Sequence, residues 1–420
     1  MDFVFADPPS LETPLRAAIG IAHRQSEDAA IAAILTAATQ PAEANARIAA
    51  TARRLVETVR RERLGKGGLD AFLHEYALSS PEGIALMCLA EALLRIPDSD
   101  TIDRLIRDKL AGADWERHLG HSASLFVNAS TWALMLTGQL LRADAGGERD
   151  LAQALRHFAA RAGEPVLRQA VTAAMRILGG QFVMGRTIEA ALARAVPTER
   201  HGYRHSYDML GEAACTAADA ARYRASYRNA ITAIGAAAAG RAVEEAPGIS
   251  VKLSALHPRY EAAQAGRVRR EMLPVLLDLA AAARTAGIGF TIDAEEADRL
   301  ELSLDLFEAL ALAPELAEWD GLGLAVQAYQ KRAPALIDWL ADLAARARRR
   351  LMVRLVKGAY WDSEIKRAQE RGLDTYPVYT RKAATDVSYL ACTKRLFAAG
   401  AAFYPQFATH NAHTLAAIIE

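Results

Sequence analysis

The sequence predicts an α/β fold: a (β/α)8 barrel of the TIM type with six of its eight βα units present, preceded by an all-helical arm and a helical domain. Three observations predict it. The first half reads as helix almost throughout. After Tyr203, short runs rich in Val, Ile, Leu and Phe alternate with Ala/Leu/Glu/Arg stretches of helical period, the pattern of right-handed βαβ units in a parallel sheet. No glycine-rich phosphate turn follows the first strand, which favours a barrel over an open nucleotide-binding sheet. Gly321-Leu-Gly323 and Gly287-Ile-Gly289 sit at strand starts and lack the third glycine.

From Pro14 to about Val196, apolar residues recur at three-and-four spacing, as in ARIAATARRLVETVRRERL (46–64) and ALRHFAARAGEPVLRQAVTAAMRILGG (154–180). Ser80-Pro81-Glu82 opens one helix, Asp98, Ser99 and Asp100 are cap candidates, and Gly179-Gly180 fits a helix stop. The uncharged stretch 122–141 reaches membrane-spanning length, but it holds Asn128, Gln139 and several hydroxyl residues and reads as a buried helix. A boundary is expected at 194–200, around Pro197. Strands then follow at 204–209, 249–253, 288–293, 321–326, 351–356 and 401–407, with helical patterns at 268–286, 295–311, 332–348 and 382–399. The expected domains are an arm (1–75), a helical domain (76–198) and a barrel (199–420). Strand starts recur about every 39 residues, so eight units need roughly 315, and the barrel is expected to be incomplete at its C-terminus.

Composition narrows the class. Hydrophobic residues make up 52% and charged residues 24% of 420, enough for sizeable cores. Lys+Arg (50) and Asp+Glu (50) cancel, which argues against a general basic surface, so no nucleic acid is expected as a partner. Cys88, Cys215 and Cys392 are too scattered for a disulfide framework or thiolate metal site; Cys215 and Cys392 read as buried small hydrophobes. The start, MDFVFADPPSLETPL, lacks the charge and apolar core of a signal peptide, so a cytoplasmic location is expected.

Barrel chemistry sits at the carboxyl ends of strands. There the chain places Asp208 and Glu212, Lys252, Asp293, Gln327 and Tyr329, Arg354 and Lys357, and Thr409 and His410. A strand-end Asp is often a helix cap and a lone His often structural. A strand-embedded Lys or Arg is harder to dismiss, because burying an unpaired charge is costly. Lys252 and Arg354 should therefore face acids, either Asp293 or a bound anion. A metal-dependent barrel hydrolase is one alternative, with His410, His413 and Asp293 as ligands, although Lys and Arg repel a metal; no metal is expected. No G-x-S-x-G supports a serine hydrolase. A non-catalytic scaffold fragment is the other alternative. An anionic flavin suits the cations best, with Gly358, Ala359, Tyr360 and Trp361 placed to pack on its ring.

Six motifs carry a family resemblance: YDMLGEAA (207–214), SVKLSALHPRY (250–260), FTIDAEEADRLE (290–301), GLAVQAYQKR (323–332), VRLVKGAYWDSE (353–364) and YPQFATHNAHT (404–414). In order and spacing they resemble the proline dehydrogenase domain of the bifunctional proline utilization A flavoenzymes. GGQFVMGRTIEAAL (179–192) and STWALMLTGQLL (130–141) extend the likeness into the helical half.

The resemblance implies a barrel holding FAD and oxidising L-proline to Δ1-pyrroline-5-carboxylate, with hydride passing to flavin N5 and electrons on to a membrane quinone. It implies that Arg354 and Gln327 lie against the isoalloxazine, and that Lys357, Gly358, Ala359, Trp361, Thr380, Lys382, Thr385, Thr409 and His410 contact the cofactor. Lys252 is expected to bind the substrate carboxylate with Asp293 as its acid. Ala359 and Tyr360 are expected to pack on the proline ring, and Glu212 to form half of an ion-pair gate. Catalysis is thus expected of Arg354, Lys252 and Asp293. The resemblance further implies a C-terminal aldehyde dehydrogenase domain in the full-length protein and peripheral association with the inner membrane, and is compatible with a homo-oligomer. The family's Tyr and Arg pair that grip the carboxylate, on a closing helix, are expected beyond Glu420. A basic strand-helix-helix DNA-binding stretch is not seen before Pro14.

Overall fold

The computed structural model describes residues 13–63 and 183–420; the readings at Cys88 and at 64–182, including the caps near Pro81 and Asp98 and the stretch 122–141, lie outside the described residues. The chain divides into two compact units, one of residues 1–53 and 195–420 and the other of residues 54–194. In the second unit, Thr187 Oγ1 accepts from the Ala190 N–H at 3.3 Å and Arg194 donates to the Val183 carbonyl at 3.1 Å.

The arm opens with α1 (Pro14–Ala22), where Thr13 caps the helix and Pro14 occupies a first-turn position that needs no N–H. Ser26 caps α2 (Glu27–Ala38), whose first turn carries Glu27 and Asp28 against the positive helix end. Next come α3 (Ala42–Arg63) and α4 (Ile188–Glu199). Pro197 sits inside α4, and the division between the two units falls at 194/195.

Strands and helices then alternate: β1 (Ser206–Asp208), α5 (Ala217–Ala238), β2 (Gly248–Val251), α6 (Ala265–Thr285), β3 (Gly289–Ile292), α7 (Leu300–Ala311), β4 (Leu322–Gln327), α8 (Ala333–Ala347), β5 (Leu351–Val356), α9 (Trp361–Glu370), α10 (Lys382–Ala398), β6 (Phe403–Phe407) and α11 (Ala412–Ile419). All neighbouring strands pair parallel in the order β1 to β6. Every residue of β3 and β4 is buried, as expected of strands covered on both faces. Val268, Met272, Leu276 and Leu279 recur at three-and-four spacing on α6 and are fully buried, each contributing about 1.5–3 kcal/mol.

The sheet is curled. β1 and β5 are four strands apart, about 19 Å in a flat sheet at the usual strand spacing. Yet Arg354 Nη2, on β5, reaches Ser206 Oγ, on β1, at 2.7 Å. Only a sheet wrapped around its inner face allows that contact, so six parallel strands form the wall of a half-barrel.

Several boundaries move. The first strand shrinks from 204–209 to Ser206–Asp208, and only Tyr207 of the three is buried. The second ends at Val251, so Lys252 is not embedded in it but leads a 3-10 turn, Leu253–Ala255. Helix α7 starts at Leu300 rather than 295, because a 3-10 turn at Ala297–Arg299 precedes it. Cys392 is buried as read, but Cys215 is exposed: it lies in the β1–α5 loop, where no apolar layer covers it.

Candidate active site

Side chains two apart on a strand share a face, so the inner wall of the half-barrel is built in layers. Ser206 and Asp208 come from β1, Ser250 from β2 with Lys252 just past its end, and Thr291 from β3 with Asp293 just past its end. The deeper residue of each pair carries a hydroxyl, and the residue nearer the carboxyl rim carries a charge. Lys252 Nζ donates to both Asp208 oxygens at 2.9 and 3.0 Å and to Asp293 Oδ2 at 3.1 Å. Arg354 Nη1 donates to Ser250 Oγ at 2.8 Å and to Asp293 Oδ1 at 3.2 Å. Asp293 thus joins the two cations that the sequence expected to face acids, while Asp208 is a second acid whose pairing was not foreseen.

Burial pulls the Lys252 ammonium toward neutrality, but the carboxylates of Asp293 and Asp208 outweigh it, and its pKa is raised overall. Burial also pushes Asp293 above the usual carboxylate range and Asp208 adds to this, opposed by Lys252 and Arg354. The side chains of Lys252, Asp293 and Arg354 are only 16%, 14% and 18% exposed, so their pairing is poorly screened by water.

The rim surrounds this cluster. Gln327, at the end of β4, donates to the Glu295 carbonyl and accepts from the Ala359 N–H at 3.0 Å. Gly358 adopts φ +146, and a Cβ there would lie 2.4 Å from the Tyr329 ring, so only glycine fits. Tyr360 Oη donates to Glu212 Oε2 at 3.3 Å; burial, with Glu212 beside it, raises the Tyr360 pKa. Trp361 Nε1 donates to the Tyr379 carbonyl.

A second group lies between β5 and α10. Lys357 Nζ meets Asp386 Oδ1 at 2.5 Å, and Lys382 meets Asp386 Oδ2 at 2.8 Å, so two lysines share one carboxylate. No side chain caps the 17-residue helix α10. Thr380, expected at a cofactor, donates its N–H and hydroxyl to Glu27 of the arm, at 2.8 Å from the hydroxyl. Thr385 is buried inside α10. Thr409 Oγ1 accepts from the Asn411 N–H, and His410 is exposed on the rim. Among the described residues, no three His, Cys, Asp or Glu side chains gather to hold a metal, so His410, His413 and Asp293 do not form the ligand set weighed above.

Ser206, Ser250, Asp386 and Glu27 were missed. The two serines carried a signal: each lies two residues before a strand-end charge and so shares its face. Asp386 carried one too, its i, i+4 spacing from Lys382 on α10, whereas Glu27 carried none, because its partner Thr380 lies 353 positions away.

The half-barrel, with paired cations and acids at the carboxyl ends of its strands, defines a barrel enzyme with an anion-accepting mouth. Comparison with known proteins sharpens that class. Residues 191–420 match the family described as proline dehydrogenase, and the chain belongs to it. Residues 13–60 match the proline utilization A proline dehydrogenase N-terminal domain. The chain is 55% identical over 419 residues to the bifunctional protein PutA of Escherichia coli K12, covering 99% of this chain and 32% of that protein. It is 53% identical to the Rhizobium meliloti protein of the same name, covering 33% of it. A crystal structure of Bradyrhizobium japonicum proline utilization A superposes with a TM-score of 0.70 at 47% identity, covering 98% of this chain and 40% of that one. The chain therefore spans about a third of the length of the curated relatives it matches.

One expectation is corrected. Residues 68–182 match the family described as the DNA-binding domain of proline dehydrogenase, against the reading that no nucleic acid is a partner. Net charge summed over a whole chain says nothing about how charge is distributed over one segment of it. Among the described residues, no helix is long and apolar enough to cross a membrane.

Proposed function

We propose that this chain carries the FAD-dependent oxidation of L-proline to Δ1-pyrroline-5-carboxylate. The observation that carries it is Lys252, held protonated between Asp208 and Asp293 beside Arg354, at the mouth of a proline dehydrogenase barrel. Proline is a small zwitterion, and this mouth offers both signs of charge at contact distance.

The residues present fit a flavin. Lys357 and Lys382 share a single acid, leaving excess positive charge beside the N-terminus of α10, which no side chain caps. Such an N-terminus favours a pyrophosphate. Arg354 and Gln327 would face the isoalloxazine, and Lys357, Gly358, Ala359, Trp361, Thr380, Lys382, Thr385, Thr409 and His410 the rest of the cofactor. Bound FAD supplies the two-electron acceptor for the hydride that leaves the proline carbon beside the ring nitrogen.

Lys252 binds the substrate carboxylate, and Asp293 keeps Lys252 charged and oriented in a partly dry site. Ala359 and Tyr360 pack on the ring, and Tyr360 with Glu212 narrows the entrance and limits water. Proline arriving as the zwitterion gives its ammonium proton to water before hydride transfer; the resulting free amine needs no strong base, because the nitrogen lone pair forms the new double bond. Electrons pass to a quinone, which requires peripheral contact of a cytoplasmic protein with the inner membrane. In the full-length protein an aldehyde dehydrogenase domain takes the product. The barrel that carries this chemistry spans 199–420.

Anaerobic mixing of the full-length protein with L-proline tests this. Bleaching of a flavin absorbance band is expected; a flavin-loaded protein that proline does not reduce would refute the reading.

A further inference from the structure

Resting on that reading of Arg354, we propose that Ser206 and Ser250 are positioning residues. They clamp the Arg354 guanidinium across the half-barrel and aim its remaining N–H groups at the reduced cofactor. Arg354 leaves β5 and crosses the inner face to the opposite wall. There Nη2 donates to Ser206 Oγ at 2.7 Å and Nη1 to Ser250 Oγ at 2.8 Å. The two hydroxyls are 3.3 Å apart, close enough that one donates to the other. A hydroxyl has one proton and two lone pairs, so each serine can accept from the arginine while taking part in that link.

The choice of acceptor matters electrostatically. Asp293 Oδ1 also accepts from Nη1, at 3.2 Å, but Asp293 is shared with Lys252. The serines fix the direction of the guanidinium without adding negative charge, so its positive charge remains available to a group that becomes anionic on reduction. A third carboxylate in their place would hold Arg354 equally still and cancel that charge. Both serines come from the hydroxyl layer below Asp208 and Lys252, and Ser250 is fully buried. Ser206 lies on the short strand β1, and Ser206→Ala removes a single side-chain oxygen.

The test uses the full-length protein with Ser206→Ala, Ser250→Ala and the double variant, each also in an Arg354→Met background. The readout is the two-electron midpoint potential of the bound flavin. The double variant is expected to weaken the preference for reduced over oxidised flavin about tenfold, a shift of ~30 mV to more negative potential. Its kcat for proline should fall about tenfold with KM changed less than twofold. In the Arg354→Met background the serine substitutions should shift the potential no further, an outcome that a merely structural role does not produce. A wild-type potential in the double variant, or an equal shift without Arg354, overturns the clamp. Ser206→Ala alone decides the matter if the double variant fails to fold. The potential is measured without proline, so a protein that proline cannot reduce refutes the proposed function while the clamp is still read. Denaturant unfolding of flavin-free protein gives the same serine–arginine coupling independently of the cofactor, and additive effects there count against the clamp.

Discussion

Two charged groups lie on the rim of the same half-barrel and differ in balance. At the ends of β1, β2, β3 and β5, two cations face two acids. Lys252, Arg354 and Asp293 are mostly buried, and every contact is about 3 Å. Between β5 and α10, two lysines share one acid, and Lys382 is 73% exposed. The balanced group pays for its burial by internal pairing and becomes rigid, which suits orienting a small zwitterion. The unbalanced group keeps excess positive charge within reach of solvent, which suits attracting an anion. Stoichiometry and burial thus set two groups of similar charged residues apart.

The largest expected effect breaks the balanced group. Arg354→Met should slow reduction by proline a hundredfold or more, the scale for losing a preorganised electrostatic contact; stopped-flow flavin bleaching measures it. Lys252→Met comes next. It leaves Asp208 and Asp293 without their shared cation, and should raise KM for proline at least tenfold. It should also destabilise the fold by about 3 kcal/mol, the low end for breaking a buried pair, as read by denaturant unfolding.

The unbalanced group should respond through the cofactor. Lys382→Met should weaken FAD retention several-fold, with a steeper salt dependence in the wild type than in the variant; equilibrium dialysis at two ionic strengths reads this. Asp386→Asn should have the smallest effect. Burial of Asp386 acts to raise its pKa, but the bonds from Lys357 and Lys382 prevail and hold it below the ordinary 3.8. A depressed carboxylate pKa contributes stability above the unfolded value and loses it as pH falls through the folded one. Asp386→Asn should therefore cost at most about 1 kcal/mol at neutral pH, and the gap to wild type should close below about pH 4. A gap that does not shrink at all as pH falls through the acid range would mean that Asp386 matters for packing rather than charge.

The architecture of the barrel was readable because its strands are apolar runs of the right length between helices of clear period. The order β1 to β6 follows from that alternation together with the right-handed crossover rule. Boundaries were less legible, since a 3-10 turn can have the composition of a strand end, as at Lys252, or of a helix start, as at Ala297. Among the site residues, Lys252, Asp293 and Arg354 were legible because a charge in or next to a buried strand demands a partner. Their particular partners were not, because contact requires curvature, and curvature is a property of the whole sheet.

By itself, the sequence determined the alternating parallel architecture, the charges at the strand ends and, through six ordered motifs, the family. It could do so because periodicity, burial cost and motif spacing are local properties of the chain. Only the tertiary structure decided that Arg354 crosses to Ser206 and Ser250, that Asp208 joins Asp293 around Lys252, and that Glu27 of the arm occupies Thr380. These contacts join residues 41 to 353 positions apart. Whether such residues meet depends on how the sheet curls and where the arm lies, which are set by packing of the whole unit.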